Sequence, residues 1–247
     1  MQPATHARSA DTCAIVGPAS RTPAARAMSM LNGLRGDLEV VQLLCGSEIA
    51  GTAAAAQSAN FVYMVADKQT REAAVFDAAW EVDGVFEAAD IMEYKITDAI
   101  YTHHHYDHAG RRGQSILEGA AEMAERGVQV RVHSADTAAV IKQCGLPDVH
   151  RIDDGDVLSL GGEVTIRCLH TPGHTPGSAC FALSGATDAE GTIDALVTGD
   201  TLFVGAFGRV DLPTSDPSAM FASLMRLKDL DANGARGVPV PPCHGCP

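Results

Sequence analysis

No stretch of this chain carries about 18 or more consecutive apolar residues, so no helix able to span a bilayer is expected. Basic residues are scarce: 18 Lys and Arg stand against 31 Asp and Glu, a formal net charge of -13. Nucleic-acid binding needs clusters of Lys and Arg to neutralise phosphates, so neither DNA nor RNA is expected as a partner. No segment recurs with a period of 20 to 50 residues, which removes a solenoid. A second C-x-x-C pair is also missing. Cys243 and Cys246 form one alone, half of what a zinc ribbon uses, and no role follows for it. The 7 cysteines are odd in number, scattered, and partly set in apolar runs, which fits a reducing compartment better than a disulfide framework.

What the chain does have is enough length for one sizeable core: 247 residues, 46% hydrophobic and 20% charged. Residues 1–36 read differently from the rest. They are rich in Ala, Ser and Pro, contain no Lys, and carry four Arg against the single acid Asp11. That composition suits an organellar transit peptide, and equally a disordered leader. The expected domain is 37–247, acidic throughout. Its expected location is the cytoplasm, or a mitochondrion or plastid if the leader is a targeting signal.

From Leu38 onward, short β-rich runs alternate with Gly, Pro, Asp and Asn punctuation. Strands are expected at 38–44, 61–65, 74–76, 96–102, 128–132, 164–168, 180–183 and 195–197, too many for one small sheet. Helical spacing appears at 85–92, 117–125, 135–143 and 219–227. The last is the best marked, with Asp216 placed to cap, Pro217 at the first helical position, and Phe221, Leu224 and Met225 forming the expected apolar face. Strands interleaved with helices predict a layered α/β domain with helices outside a two-sheet core.

The densest signal is Thr102-His103-His104-His105-Tyr106-Asp107-His108-Ala109-Gly110, directly after the apolar run at 96–101. In an extended segment residues two apart share a face, so His103, His105 and Asp107 converge while His108 addresses a neighbouring position. Imidazole nitrogens and carboxylate oxygens are ligands for zinc and iron, and a site with few protein ligands keeps positions open for water or substrate. Three later segments sit at similar strand ends: Thr171-Pro172-Gly173-His174-Thr175-Pro176-Gly177-Ser178, Thr198-Gly199-Asp200-Thr201-Leu202-Phe203, and Pro242-Cys243-His244-Gly245.

With these motifs, over roughly residues 38–244, the chain resembles the metallo-β-lactamase superfamily, in particular its glyoxalase II-like (hydroxyacylglutathione hydrolase) branch. The resemblance implies a four-layer αββα sandwich, here without its final C-terminal helix, and two divalent metal ions at one edge of the sheets. Zinc is the first expectation, with iron or manganese also compatible. It assigns His103, His105 and His174 to one ion, Asp107, His108 and His244 to the other, and Asp200 to both. Asp77 resembles the carboxylate that orients a ligand histidine in this family. His104 fills the variable place of the motif and is not expected to be a ligand. His170 is expected at a strand end or behind the ligands.

The activity so implied is hydrolysis of a small thioester, a glutathione-derived one among the candidates, by a water activated at the metals, with Asp107 holding and orienting it. One segment departs from the glutathione-specific pattern. Gly208-Arg209-Val210-Asp211-Leu212-Pro213 stands where those enzymes carry a lysine and a tyrosine, and looks like single-domain relatives and persulfide dioxygenases. Arg209 is therefore open to two roles, a fork for a substrate carboxylate or an ion pair with Asp211. The rival activity is a mononuclear iron persulfide dioxygenase using His103, His174 and Asp200.

Overall fold

The computed structural model describes residues 13–14, 28–31, 33–45, 60–113, 117–185, 193–232 and 238–240. Two sheets form. The first carries eight strands in chain order: β1 (Cys13–Ala14), β2 (Met28–Met30), β3 (Leu38–Cys45), β4 (Asn60–Asp67), β5 (Glu72–Phe76), β6 (Lys95–Tyr101), β7 (Gln129–His133) and β8 (His150–Ile152). Neighbours are antiparallel as far as β5 and parallel from β5 to β8. The second sheet is ordered β13 (Val238–Val240), β12 (Ala195–Val197), β11 (Ala179–Ser184), β10 (Val164–His170), β9 (Val157–Leu160), antiparallel except for the β12–β13 pair.

Parallel neighbours cannot be joined by a tight turn, so each pair needs a crossover, and helices supply them. Helix α1 (Val82–Ile91) joins β5 to β6, α2 (Tyr106–Ala109) and α3 (Gly119–Glu125) join β6 to β7, and α4 (Thr137–Cys144) joins β7 to β8. A fifth helix, α5 (Pro217–Ala232), follows β12.

The alternation of side chains along each strand divides the apolar residues among three interfaces. Val41, Val62, Met64 and Val75 face α1, α3 and α4, where Val85, Ala88, Met123 and Val140 meet them. Their neighbours Val40, Tyr63, Val65, Ala74 and Phe76 point the other way, against Ile166, Cys168, Phe181 and Leu183 of the second sheet. The Phe76 and Phe181 rings pack with centroids 5.3 Å apart. On the outer face of the second sheet, Leu169, Cys180 and Ala182 pack with Leu227 of α5. Helix, sheet, sheet, helix is the αββα order expected. Cys45, Cys144, Cys168 and Cys180 are buried free thiols.

All eight expected strands form, within about two residues at their ends; the four expected helices also form, α1 starting three residues earlier and α5 running five residues further than expected. The differences are local. The first sheet begins ahead of residue 38, because β2 pairs with β3; the remainder of 1–36 lies largely outside the described residues. β8 and β9 are short strands with mainly exposed or half-buried side chains, so they lack the apolar alternation that reveals a strand. The buried stripe of α5 is not Phe221, Leu224 and Met225: Phe221 and Met225 are exposed, and Met220, Ser223 and Leu227 face inward. The cause is what the helix meets. A Cβ on Gly173 would lie 2.5 Å from the Met220 Cα, and Ser223 Oγ donates to the Pro172 carbonyl at 2.7 Å. The helix is turned to fit a loop, and the two large apolar side chains are left outside. Its start is as expected, Asp216 Oδ1 accepting from the backbone N–H groups of Ser218 and Ala219.

Candidate metal centre

Strands β5 and β6 run parallel and end at the same edge of the first sheet, delivering Asp77 and residues 102–108 there. The β10–β11 turn and the end of β12 reach the same edge of the second sheet. The Ala179 N–H donates to the Thr102 carbonyl at 2.9 Å and joins the two edges. Segments far apart in sequence are thus brought together by topology.

The chain is extended through His105 (φ -59, ψ 147) and then turns helical, the Ala109 N–H donating to the His105 carbonyl at 2.8 Å. This corrects one expectation. His103 and His105 share a cluster, but Asp107 lies on α2 with His108, its Oδ2 3.9 Å from His108 Nε2. The local reason is the capping of a helical turn by His105, which rotates Asp107 out of the alternation.

His103 Nε2 lies 3.1 Å from His105 Nδ1, which lies 2.9 Å from His174 Nε2. Asp200 faces both directions, with Oδ2 3.3 Å from His174 Nε2 and Oδ1 3.3 Å from His108 Nε2. Two donor sets result, His103-His105-His174 and His103-His108-Asp200, each with ligand atoms within 4.8 Å of one another.

The outward nitrogens decide what the inward ones are. His174 Nδ1 donates to the Arg209 carbonyl at 2.9 Å. Thr102 Oγ1 gives its proton to Asp77 Oδ2 at 2.8 Å, so it receives the Nδ1–H of His103 at 3.1 Å. Both inward nitrogens, His103 Nε2 and His174 Nε2, therefore carry lone pairs. A proton on His105 Nδ1 satisfies one of them and not the other; a cation among the three satisfies all. Burial, followed by His108, His174 and His105, pushes His103 well below the ordinary imidazole range. Burial, followed by His174 and His104, brings His105 down to about 4. Both are neutral donors at neutral pH. At His108 burial acts downward too, but Asp200, Asp77 and Asp107 outweigh it and hold the ring well above its usual value. Those carboxylates favour positive charge at Nε2, the charge a divalent ion brings. The residues present thus fit a metal by donor type and by direction.

Supports follow the same logic. Asp77, with φ 55, accepts the Thr102 N–H at 2.7 Å and faces His108 Nδ1 at 3.0 Å. Gly199 has φ 46, and a Cβ there would lie 2.5 Å from Thr102 Oγ1, so the turn leading to Asp200 admits little else. The Gly208 N–H closes the loop after Asp200 by donating to the Asp200 carbonyl at 2.9 Å.

Arg209 is exposed and forms a two-pronged pair with Asp211, Nε to Oδ1 at 2.8 Å and Nη2 to Oδ2 at 2.9 Å. His104 turns to Asp136, not to the cluster. His170 ends β10 with its ring stacked on His133, centroids 3.9 Å apart. His244, with Cys243 and Cys246, lies outside the described residues. Asp136 escaped sequence reasoning; it stood inside an expected helix at 135–143 with no motif around it. Among the described residues no helix is long and apolar enough to cross a membrane.

The family model for the metallo-beta-lactamase superfamily matches residues 57–235. The cytoplasmic hydroxyacylglutathione hydrolase of Arabidopsis thaliana is 34% identical over 150 residues, 61% of this chain and 52% of that protein. The match thus spans about half the length of the plant relative. The probable polyketide biosynthesis zinc-dependent hydrolase BaeB of Bacillus velezensis is 28% identical over 169 residues, 68% of this chain and 67% of BaeB. Among solved structures, ETHE1 from Myxococcus xanthus superposes with a TM-score of 0.56 at 25% identity, covering 70% of this chain and 66% of that one.

Proposed function

Because the chain belongs to the metallo-β-lactamase superfamily, we propose that it is a metal-dependent hydrolase acting on a small thioester in the manner of glyoxalase II. The observation that carries this is the convergence of His103 Nε2, His105 Nδ1 and His174 Nε2 at 2.9 to 3.1 Å, with the outer N–H groups of His103 and His174 committed elsewhere.

In this reading His103, His105 and His174 would hold one divalent ion and His108, Asp107 and His244 a second, with Asp200 serving both. When bound, such ions would supply a water that ionises at about pH 7 and an electrophile for a carbonyl oxygen. The chain supplies the rest. Asp107, whose side chain is 18% exposed beside the buried His108, would hold and orient the attacking water besides ligating. Asp200 keeps His174 and His108 at a set spacing. Arg209 presents a guanidinium fork at the surface, and a substrate carboxylate would bind it in place of Asp211. Zinc is the preferred ion, a choice supported by the zinc-dependent relative. Residues 37–247 form the proposed catalytic domain.

A second reading, a mononuclear iron persulfide dioxygenase, is favoured by the Gly208-Arg209-Val210-Asp211 segment. Elemental analysis of purified protein, combined with assays on S-lactoylglutathione and glutathione persulfide, separates the two. Two metals per chain with thioester cleavage supports the hydrolase; one iron with oxygen uptake on the persulfide overturns it.

A further inference from the structure

Asp136 belongs to no ligand motif, yet it is 1% exposed and receives four hydrogen bonds from the two loops that carry the histidines. From the loop after β6, His104 donates its backbone N–H at 2.9 Å and its Nδ1–H at 2.8 Å, both to Oδ2. From the β10–β11 loop, Thr175 donates its hydroxyl to Oδ2 at 2.8 Å and Gly177 its N–H to Oδ1 at 2.8 Å. Resting on the metal-centre reading above, we infer that Asp136 is a positioning residue that sets the distance between the His103–His105 pair and His174.

Three features distinguish this from ordinary burial of a polar group. First, the anchored residues adjoin the donors: His104 lies between His103 and His105, and Thr175 follows His174. With His104 held by backbone and ring together, its neighbours in the extended segment are directed to the opposite side, where the cluster is. Second, the contact is steric as well as polar. A Cβ on Gly177 would lie 2.5 Å from Asp136 Cγ, so the loop closes on the carboxylate only because residue 177 is glycine. Third, the far side of the first loop is also clamped: Gln143 Nε2 donates to the His104 carbonyl at 2.9 Å and to the Gly110 carbonyl at 2.6 Å. Burial alone would raise the Asp136 carboxyl, but the His104 and Thr175 bonds outweigh it and hold it below its usual value. An asparagine cannot replace it. If the amide oxygen takes the three donors at Oδ2, its NH2 faces the Gly177 N–H, donor against donor.

Partners that orient metal ligands typically account for about 10–100-fold in metal affinity. The test is competitive chelator titration of Zn(II), with the Co(II) absorption spectrum as a report on ligand geometry, on wild type, Asp136→Asn, Thr175→Val and Asp67→Asn. Asp67 is a buried carboxylate that also accepts backbone N–H groups, but from 69, 70 and 162, away from the ligand loops. The expected result is a Zn(II) Kd raised about 10–100-fold in Asp136→Asn, raised in the same direction in Thr175→Val, and unchanged in Asp67→Asn, with the Co(II) spectrum altered in the first two alone. Folded Asp136→Asn with wild-type Kd and spectrum overturns the inference. Should that variant not fold, wild-type binding by Thr175→Val overturns it. Wild type that takes up no Zn(II) overturns the metal-centre reading and this inference with it, so the two failures are distinct.

Discussion

Asp77 Oδ2 stands 3.0 Å from His108 Nδ1, while the oxygens of the same carboxylate receive the N–H and the O–H of Thr102 at 2.7 and 2.8 Å. One side chain thus fixes the ring direction of a histidine on α2 and the end of β6. Asp77→Asn removes the charge and keeps a residue that tolerates the left-handed backbone at φ 55. The expected outcome is a loss of about 10–100-fold in affinity for the ion nearest His108, with the His103-His105-His174 set less affected. Stepwise titration with Zn(II) measures both.

Asp107→Ala addresses the residue proposed to hold and orient the attacking water. In the proposed reaction turnover falls by about 10²–10⁴-fold, the range for a positioned acid or base, while the His103-His105-His174 site keeps its ion. Steady-state kinetics beside elemental analysis checks this. Full activity in the variant would refute the assigned role.

Stability in acid has a separate origin in the β4–β5 turn. Burial acts to raise the Asp67 carboxyl, but N–H donors from Thr70, Gly162 and Gln69 outweigh it and hold the group below 3.8. A depressed carboxyl contributes stability that is complete above the unfolded pKa and disappears as pH falls through the folded one. Relative to wild type, metal-free Asp67→Asn is therefore expected to lose about 1–3 kcal/mol at pH 7, a difference that shrinks as pH falls below 3.8. Urea unfolding in chelator across a falling pH series reads the difference.

Gly173 allows α5 to approach the His174 loop. Its φ is +146, and an added Cβ would meet backbone at the Met220 Cα, which cannot swing aside. Gly173→Ala is expected to cost about 1–3 kcal/mol and to weaken the His174 site together with the fold. Thermal unfolding with and without Zn(II) tests both parts.

Much of this molecule was legible from residue pattern. Val40 and Val41, adjacent in sequence, face different cores, and that period of two made β3 to β7 and β10 to β12 visible. The histidine run was legible because its chemistry is unusual at that spacing. What escaped notice depends on distant partners. β8 is a polar strand that exists because β7 lies alongside it. The inward face of α5 is set by Pro172 and Gly173, some 50 residues upstream, against the preference of Phe221 and Met225. Asp136 acquires meaning only when residues 104 and 175 reach it. The period of two that groups Asp107 with His103 and His105 fails because a helical turn begins one residue after His105, and sequence periodicity reads such boundaries poorly.

The hydrogen bond from Ala179 to Thr102 has a mechanical corollary. His103, His105 and His108 ride on one sheet, and His174 and Asp200 on the other, so every donor set straddles the seam between the halves of the sandwich. A cation seated there acts as a rivet through that seam. Slippage of one half against the other would be felt first as a change in coordination, and withdrawal of the ion as a loosening of the seam itself.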